Sequence, residues 1–257
     1  YRKMLLIADA MGDPLAKNFT AEDFAEYRAK RLRGEIHFKK KNSNEPIKAR
    51  TLNYELDIFQ AVFNELKRLK KWRTDNPLAI LRPLKTQELE LRFLREKEIE
   101  KLLACCDEVN PRLRMAVLLC LATGARWGEL MSLTPSSVIP YKVTFTNTKG
   151  GKNRTVPISP EVYKQLDLTK RPLFKGVNDK QFIKAVKMAN IELRENQQTH
   201  VLRHTFASYF MMNGGNILVL KEILGHSDIS MTMVYAHFSP SHLEQAVQFN
   251  PLNNVDI

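Results

Sequence analysis

A long apolar segment constrains the fold of this chain more than any other feature of its sequence. Residues 112–122 are almost wholly apolar, and Met115–Ala122 is the longest apolar run in the 257 residues. A helix that is apolar on every side is buried, so the segment predicts a helix inside a globular core. The run is far too short to span a bilayer, which takes about 20 apolar residues.

Shorter patterned segments surround this predicted helix. Thr123 and Gly124 end it, and a second helix is predicted to restart near Arg126 and run to Leu133. Residues 143–158 place alternating apolar positions on both sides of a Gly-rich turn, which predicts a β-hairpin. The other predicted helices cover residues 95–106, 160–166, 178–194, 199–212, 217–224 and 228–236.

The N-terminal region predicts a smaller helical unit. Thr20 and Asp23 form an N-cap signature before a short helix that runs through Arg28. A long helix is predicted from Pro46. Its apolar stripe recurs at steps of four and three, at Leu52, Leu56, Phe59, Phe63 and Leu66. We therefore expect a mainly α protein with a helical domain at 1–85, a linker at 86–93 and, from residue 94, an α+β domain with a small antiparallel hairpin.

The charge balance favours a polyanionic partner. Forty Lys and Arg against 28 Asp and Glu give a net charge of +12, and each cation that neutralises a nucleic-acid phosphate releases a counterion. Residues 1–90 hold 19 basic and 13 acidic side chains, so the surplus is distributed along the chain. The balance alone leaves ribosomal proteins, membrane-surface proteins and ordinary basic enzymes open.

The three cysteines exclude the disulfide-rich and zinc-knuckle classes. Cys105 and Cys106 are adjacent in an apolar helical segment, and Cys120 lies within the predicted buried helix. An odd number with this spacing fits neither a disulfide framework nor a metal site. We expect them to pack in the core of a cytosolic protein, with no metal and no cofactor.

Several polar residues of the second region stand at the edges of predicted elements. Each has an ordinary structural interpretation: an ion pair with Glu129, an exposed turn lysine, helix-surface residues, a partner for a helix C-terminus, or a buried aromatic. None of them singly favours function over structure. They are Arg126, Lys149, His200, Arg203, His226 and Tyr235.

Taken in order, these residues form a pattern. The segments are Ala122–Leu130 around Arg126, Thr148-Lys149 in the hairpin, His200–Ala207 around Arg203, Leu224–His226, and Tyr235–His237. Together they resemble the tyrosine recombinase (lambda-integrase) family, closely over residues 95–240. The resemblance is strongest to a temperate-phage integrase, whose separate arm-binding module would precede Tyr1.

The resemblance implies a role for each residue. Tyr235 would be the nucleophile that forms a 3′-phosphotyrosyl bond with DNA, and Arg126 and Arg203 would bind the phosphate. Planar guanidiniums suit that task because they bind two phosphate oxygens and stay charged. Lys149 would protonate the leaving 5′ oxygen, His200 would exchange the tyrosine proton, and His226 would hydrogen-bond the phosphate. Glu129 would orient its neighbours, while His204, Trp127 and Phe206 would be structural.

The resemblance also implies domains and partners. Residues 1–85 would bind the core site on double-stranded DNA, 94–238 would form the catalytic domain, and 239–257 would pass to a neighbouring subunit in a homotetramer. Accessory DNA-bending and excisionase proteins would assist in the bacterial cytoplasm, at the nucleoid, with no role for a membrane. The expected DNA contacts are Arg28, Lys30, Arg31, Arg33, Lys39, Lys40, Lys41, Lys48 and Arg50.

Other functions remain open from the residues alone. A Xer-type resolvase of DNA dimers differs from an integrase in natural context rather than in residues. A type IB topoisomerase uses similar chemistry without pairing two sites. An architectural DNA-binding protein would explain the charge, although it would not explain the ordered set of reactive residues.

Overall fold

The computed structural model describes residues 2–38, 47–86, 92–146, 153–193 and 197–240. The chain divides into two compact units, residues 1–89 and 90–257. Helices predominate in the described parts, with one antiparallel three-stranded sheet, so the predicted fold class is confirmed. The narrower domain limits at 1–85, 86–93, 94–238 and 239–257 stay predictions.

The described part of the first unit contains helices α1 (Arg2–Ala10), α2 (Ala21–Leu32) and α3 (Ala49–Arg68). Thr20 and Asp23 cap α2 reciprocally, with bonds of 3.2 and 2.9 Å between side chain and backbone. The helix continues one turn beyond its predicted end, and α1 was not predicted. Pro46 lies outside the described residues. The predicted stripe on α3 is confirmed: Leu52, Leu56, Phe59 and Phe63 are buried, and Leu66 is half-buried.

A buried carboxylate fixes the packing of α2 on α3. Glu55 is fully buried and accepts hydrogen bonds from Tyr27 Oη at 2.8 Å and from Arg31 Nη2 at 3.1 Å. Arg31 also donates to the carbonyl of Ile36 at 2.6 Å. A buried carboxylate needs such a partner, because its desolvation is costly. Arg31, which was predicted to contact DNA, is thus buried and paired with Glu55, and its contact with DNA stays a prediction.

In the second unit the predicted apolar segment lies in α5 (Pro111–Thr123), one of eight helices among the described residues. The others are α4 (Glu96–Val109), α6 (Trp127–Met131), α7 (Pro160–Lys164), α8 (Asp179–Met188), α9 (His200–Met212), α10 (Ile217–Leu224) and α11 (Ser230–Met233). Helix α5 packs against both α4 and α9. Seven of its 13 residues are buried, which confirms the predicted buried helix. Pro111 suits its first turn, where the missing N–H costs nothing.

Gly124 ends α5 in a left-handed conformation and leaves no room for a side chain. Its φ is +64°, and a Cβ there would lie 2.5 Å from Phe206 and 2.8 Å from Leu224. Glycine is therefore required both for its backbone and for its lack of a side chain. The close approach brings the end of α5 beside α9 and the end of α10.

The predicted hairpin is part of a sheet of order β1-β2-β3. Its strands are β1 (Val138–Ile139), β2 (Lys142–Phe145) and β3 (Arg154–Pro157). Phe145 pairs with Arg154 and Val143 with Val156, which confirms the two strands of the hairpin and adds β1. The turn between them, with Lys149, lies outside the described residues.

Two C-terminal elements are shorter than predicted. Helix α8 stops at Met188 rather than near 194, because Asn190 adopts a left-handed φ of +53°. Helix α11 covers only Ser230–Met233, and a 3₁₀ turn over Ala236–Phe238 follows Tyr235. Tyr235 thus lies between two short helical turns.

Candidate active site

Arg203 is a buried cation held by the ends of two helices. Its Nη1 donates to the carbonyl of Gly124 at 2.8 Å, and its Nη2 donates to the carbonyl of Leu224 at 2.7 Å. These carbonyls lie at the C-terminal ends of α5 and α10, where a positive charge is favoured. Burial, together with the charges of Arg126 and Arg154, lowers the pKa of Arg203 to about 9. The guanidinium therefore remains charged at neutral pH.

His226 is the third partner of that guanidinium. Its Nε2 lies 2.8 Å from Arg203 Nη2, and its Nδ1 lies 2.8 Å from Thr232 Oγ1. Because a guanidinium only donates, Nε2 must accept, and Nδ1–H then donates to the threonine. Burial and the charge of Arg203 lower the pKa of His226 to about 4. The imidazole is neutral near pH 7.

Glu129 connects two further arginines. One carboxylate oxygen accepts from Arg126 Nη1 at 2.9 Å, and the other accepts from Arg154 Nη2 at 2.6 Å and from the Arg126 backbone N–H at 3.0 Å. Burial raises the pKa of Glu129, but the hydrogen bond and charge of Arg154 and the hydrogen bonds from Arg126 outweigh it and lower the pKa. Arg126 is thus paired with Glu129. This pair fits both the expected orienting role of Glu129 and a purely structural ion pair.

Arg154 belongs to the site and was missed from the sequence. It is buried on β3, its guanidinium lies 4.7 Å from the centre of the Phe145 ring, and its side chain lies against Gly225. A signal was present: strand periodicity places Arg154 on the same face as the buried Val156. A charged residue on the inner face of a strand indicates a buried partner, here Glu129.

The hydroxyl of Tyr235 bonds to a residue that we had expected to be structural. Its Oη lies 2.7 Å from His204 Nδ1, and Tyr235 is only 2% exposed. Burial raises the pKa of Tyr235 to about 12, although the charge of Arg203 opposes this. Burial, with the charges of His200 and Arg203, lowers the pKa of His204 to about 4. His204, which we expected to be structural, therefore contacts the Tyr235 hydroxyl directly.

For the remaining predicted residues the described part of the structure shows fewer contacts with the site or none. His200 is exposed at the first turn of α9, one turn before Arg203 and His204. Trp127 packs against Phe182 as expected. Lys149 lies outside the described residues, so its position relative to the site stays a prediction.

The predicted DNA contacts in the first unit have varied surroundings. Arg28 donates to the carbonyl of Arg82 at 3.1 Å, Lys30 pairs with Glu26 at 2.9 Å, and Arg33 pairs with Glu35. Lys48 and Arg50 are exposed at the start of α3. Residues 39–41 lie outside the described part.

Across the described ranges, no group of histidine, cysteine and carboxylate side chains could hold a metal ion. Within the same ranges, none of the helices combines the length and apolar composition of a membrane span.

Comparisons with known proteins agree with this geometry. Residues 1–85 match the phage integrase N-terminal domain, and residues 92–170 and 164–242 match the phage integrase family. The chain is 57% identical over 253 residues to an integrase of Haemophilus phage HP1, covering 98% of this chain and 74% of that protein.

Solved structures extend the likeness. The catalytic domain of bacteriophage HP1 integrase is 62% identical and covers 65% of this chain and 100% of its own, with a TM-score of 0.61. A Tn1549 transposon integrase, in complex with a circular intermediate DNA, shares the fold at 19% identity. Its TM-score is 0.71 over 96% of this chain and 90% of its own. The chain belongs to the phage integrase family and is a tyrosine recombinase, a site-specific enzyme that cleaves and rejoins DNA.

Proposed function

We propose that Tyr235 is the nucleophile of this recombinase and that Arg126, Arg203 and His226 bind the scissile phosphate. The Tyr235 oxygen would bond to phosphorus as the bond from phosphorus to the 5′ oxygen breaks, leaving a 3′-phosphotyrosyl ester and a free 5′ hydroxyl. Attack by a 5′ hydroxyl from another strand would reverse the step and rejoin DNA. The ester conserves the energy of the broken bond, so no nucleotide cofactor is needed.

One observation carries the proposal. Arg203 and His204 are adjacent on α9; Arg203 is bonded to His226, and His204 is bonded to the Tyr235 hydroxyl. A single helix therefore fixes Arg203 and the Tyr235 hydroxyl relative to each other. Such preorganised charge accounts for much of the rate enhancement in phosphoryl transfer.

The proton transfers are assigned by analogy with the family. Lys149 would supply the proton that the departing 5′ oxygen needs, and His200 would exchange the proton of the tyrosine. Glu129 and Arg154 would hold the Arg126 guanidinium in place, because Glu129 accepts hydrogen bonds from both arginines.

The biological reaction we propose is integration and excision of phage or mobile DNA. The likeness to the HP1 phage integrase supports an integrase over a Xer-type resolvase. The substrate would be double-stranded DNA at attachment sites, bound partly by Arg28, Lys30, Arg33, Lys48, Arg50 and residues 39–41. A homotetramer would pair two sites, with residues 239–257 docked on a neighbouring subunit. Bending and excisionase proteins would set the direction, at the nucleoid in the bacterial cytoplasm.

Covalent trapping tests this proposal. Nicked duplexes from the source genome would be incubated with wild type and with Tyr235→Phe, and adducts would be resolved on denaturing gels and sequenced. We expect a tyrosine-dependent adduct at one recurring sequence. Scattered adducts would favour a topoisomerase, and tight binding without an adduct would favour an architectural protein. An adduct that persists in Tyr235→Phe would eliminate Tyr235 as the nucleophile.

A further inference from the structure

The bond between His204 and Tyr235 lies at the reacting atom. The distance of 2.7 Å between His204 Nδ1 and Tyr235 Oη is that of a strong hydrogen bond. The tyrosine ring packs in an apolar cluster with Ala207, Met211 and Leu224. Since packing holds the ring and His204 holds the hydroxyl, little freedom is left for the oxygen.

Other acceptors of the candidate site are already occupied. His226 uses Nε2 for Arg203 and Nδ1 for Thr232. Both carboxylate oxygens of Glu129 accept from Arg126 and Arg154. Among the site residues that the structure describes, His204 is the one bonded to the hydroxyl. His200, which the resemblance implied as the proton partner, is exposed at the start of α9.

The direction of this hydrogen bond follows from charge. His204 is neutral near pH 7, because burial and neighbouring charges depress its pKa, so one of its nitrogens carries no proton. The positive charge of Arg203 acts on the phenol oxygen and favours lone pairs on its own side. The phenol proton is then best directed away from Arg203, toward a bare Nδ1.

We propose that His204 is a positioning residue for the nucleophile, accepting the phenol hydrogen bond through Nδ1 and leaving an oxygen lone pair free for the phosphate. This inference rests on the assignment of Tyr235 as the nucleophile. On this proposal, two neighbouring residues of α9 have different tasks: Arg203 binds the phosphate and His204 orients the nucleophile.

Two variants of matched shape test the idea. Asparagine and leucine branch alike at Cγ, but only asparagine offers an oxygen close to where Nδ1 lies. Two quantities would be measured for His204→Asn and His204→Leu. They are the single-turnover rate of adduct formation on the DNA sequence identified by covalent trapping, and the affinity for that DNA. We expect both variants to bind DNA with wild-type affinity. His204→Leu should cleave about 100-fold more slowly, because its reacting hydroxyl is misplaced. His204→Asn should cleave only a few-fold more slowly.

A third variant keeps the test decisive if leucine impairs folding. His204→Gln retains a polar side chain but extends it by one bond, which moves its oxygen away from the Nδ1 position. It should cleave much more slowly than His204→Asn. Equal rates in all three variants, whether fast or slow, would overturn the positioning role. If Tyr235→Phe still formed adducts, the nucleophile assignment would fail instead, so the two failures are distinguishable.

Discussion

Glu129 places a carboxylate oxygen 2.6 Å from Nη2 of Arg154, with both side chains almost fully buried. The same carboxylate also accepts from Arg126, so one acid is paired with two cations of the site. Removing its charge leaves Arg154 buried without a counterion, which is costly.

Glu129→Gln should therefore reduce both stability and cleavage. We expect a loss of about 3–5 kcal/mol in the free energy of unfolding, measured by chemical denaturation, and slower adduct formation as Arg126 loses its anchor. Glu65→Gln is the matched control, because Glu65 pairs with Arg68 on the exposed surface. It should change stability little, because ion pairs on the exposed surface are weak. Similar effects in the two variants would contradict the role of the buried carboxylate.

The variants Arg126→Ala and Arg203→Ala should differ in stability, although both should lose cleavage. Arg126→Ala and Arg203→Ala should each slow cleavage roughly a hundredfold or more through lost charge stabilisation. Only Arg203→Ala leaves the buried carbonyls of Gly124 and Leu224 without their donor, and each such group costs about 1–3 kcal/mol. Thermal unfolding should therefore show a clear loss for Arg203→Ala and a small one for Arg126→Ala. If each variant lost cleavage only a few-fold, the proposal that Arg126 and Arg203 bind the scissile phosphate would be refuted.

Stability should fall as the pH drops below neutrality. Burial lowers the pKa of His204 and of His226 from 6.5 to about 4, so between these values the unfolded chain binds more protons than the folded one. The stabilisation is complete above about pH 6.5 and is lost as the pH falls toward 4.

Urea unfolding at several pH values would measure this slope. His226→Gln should flatten it, whereas His37→Gln, at an exposed histidine of the first unit, should leave it unchanged. A slope that is the same in wild type and His226→Gln would argue against the contribution of His226.

Gly124→Ala should destabilise the second unit. The positive φ and the Cβ contacts at 2.5 and 2.8 Å predict a loss of about 2–4 kcal/mol from strain and overpacking. Gly128→Ala is the control, because a Cβ there meets nothing within 4 Å and alanine favours the helix. Thermal unfolding of both variants distinguishes a required glycine from a tolerated one. Equal melting temperatures would rule out the close approach at Gly124.

Truncation tests the proposed subunit exchange. Deleting residues 239–257 should weaken tetramer assembly and strand exchange more than DNA binding, because binding of one subunit to one site needs no neighbouring subunit. Analytical ultracentrifugation of the complex with DNA and a recombination assay would report the two effects. Intact tetramers and full recombination after the deletion would show that the segment does not join subunits.

Much of the site was predictable because its residues stand at element edges. Arg126, Arg203 and His226 were singled out from their order and surroundings; the structure pairs Arg126 with Glu129 and Arg203 with His226, and their catalytic roles stay predictions. Local patterns also predicted α5 and the hairpin strands, since burial follows from apolar periodicity. Helix ends were less accurate because they depend on single backbone conformations, such as that of Asn190.

Tertiary contacts explain what the sequence did not reveal. His204 and Tyr235 are 31 residues apart along the chain. They meet only because α9 packs against the turn that follows α11. Arg154 and Glu129 meet across β3 and α6. Arg31 looked like any residue of a basic stretch, and only its contact with Glu55 shows that it is internal.

The bonds of Arg203 to the ends of α5 and α10 bear on how this enzyme can change over generations. A lineage that no longer needs DNA cleavage can replace Tyr235 with phenylalanine and keep a packed ring, but losing Arg203 would loosen the junction of two helices. We expect degenerate descendants to lose the tyrosine hydroxyl first and the arginine late. A retained arginine in such a relative is therefore evidence of a sound fold, and not of activity.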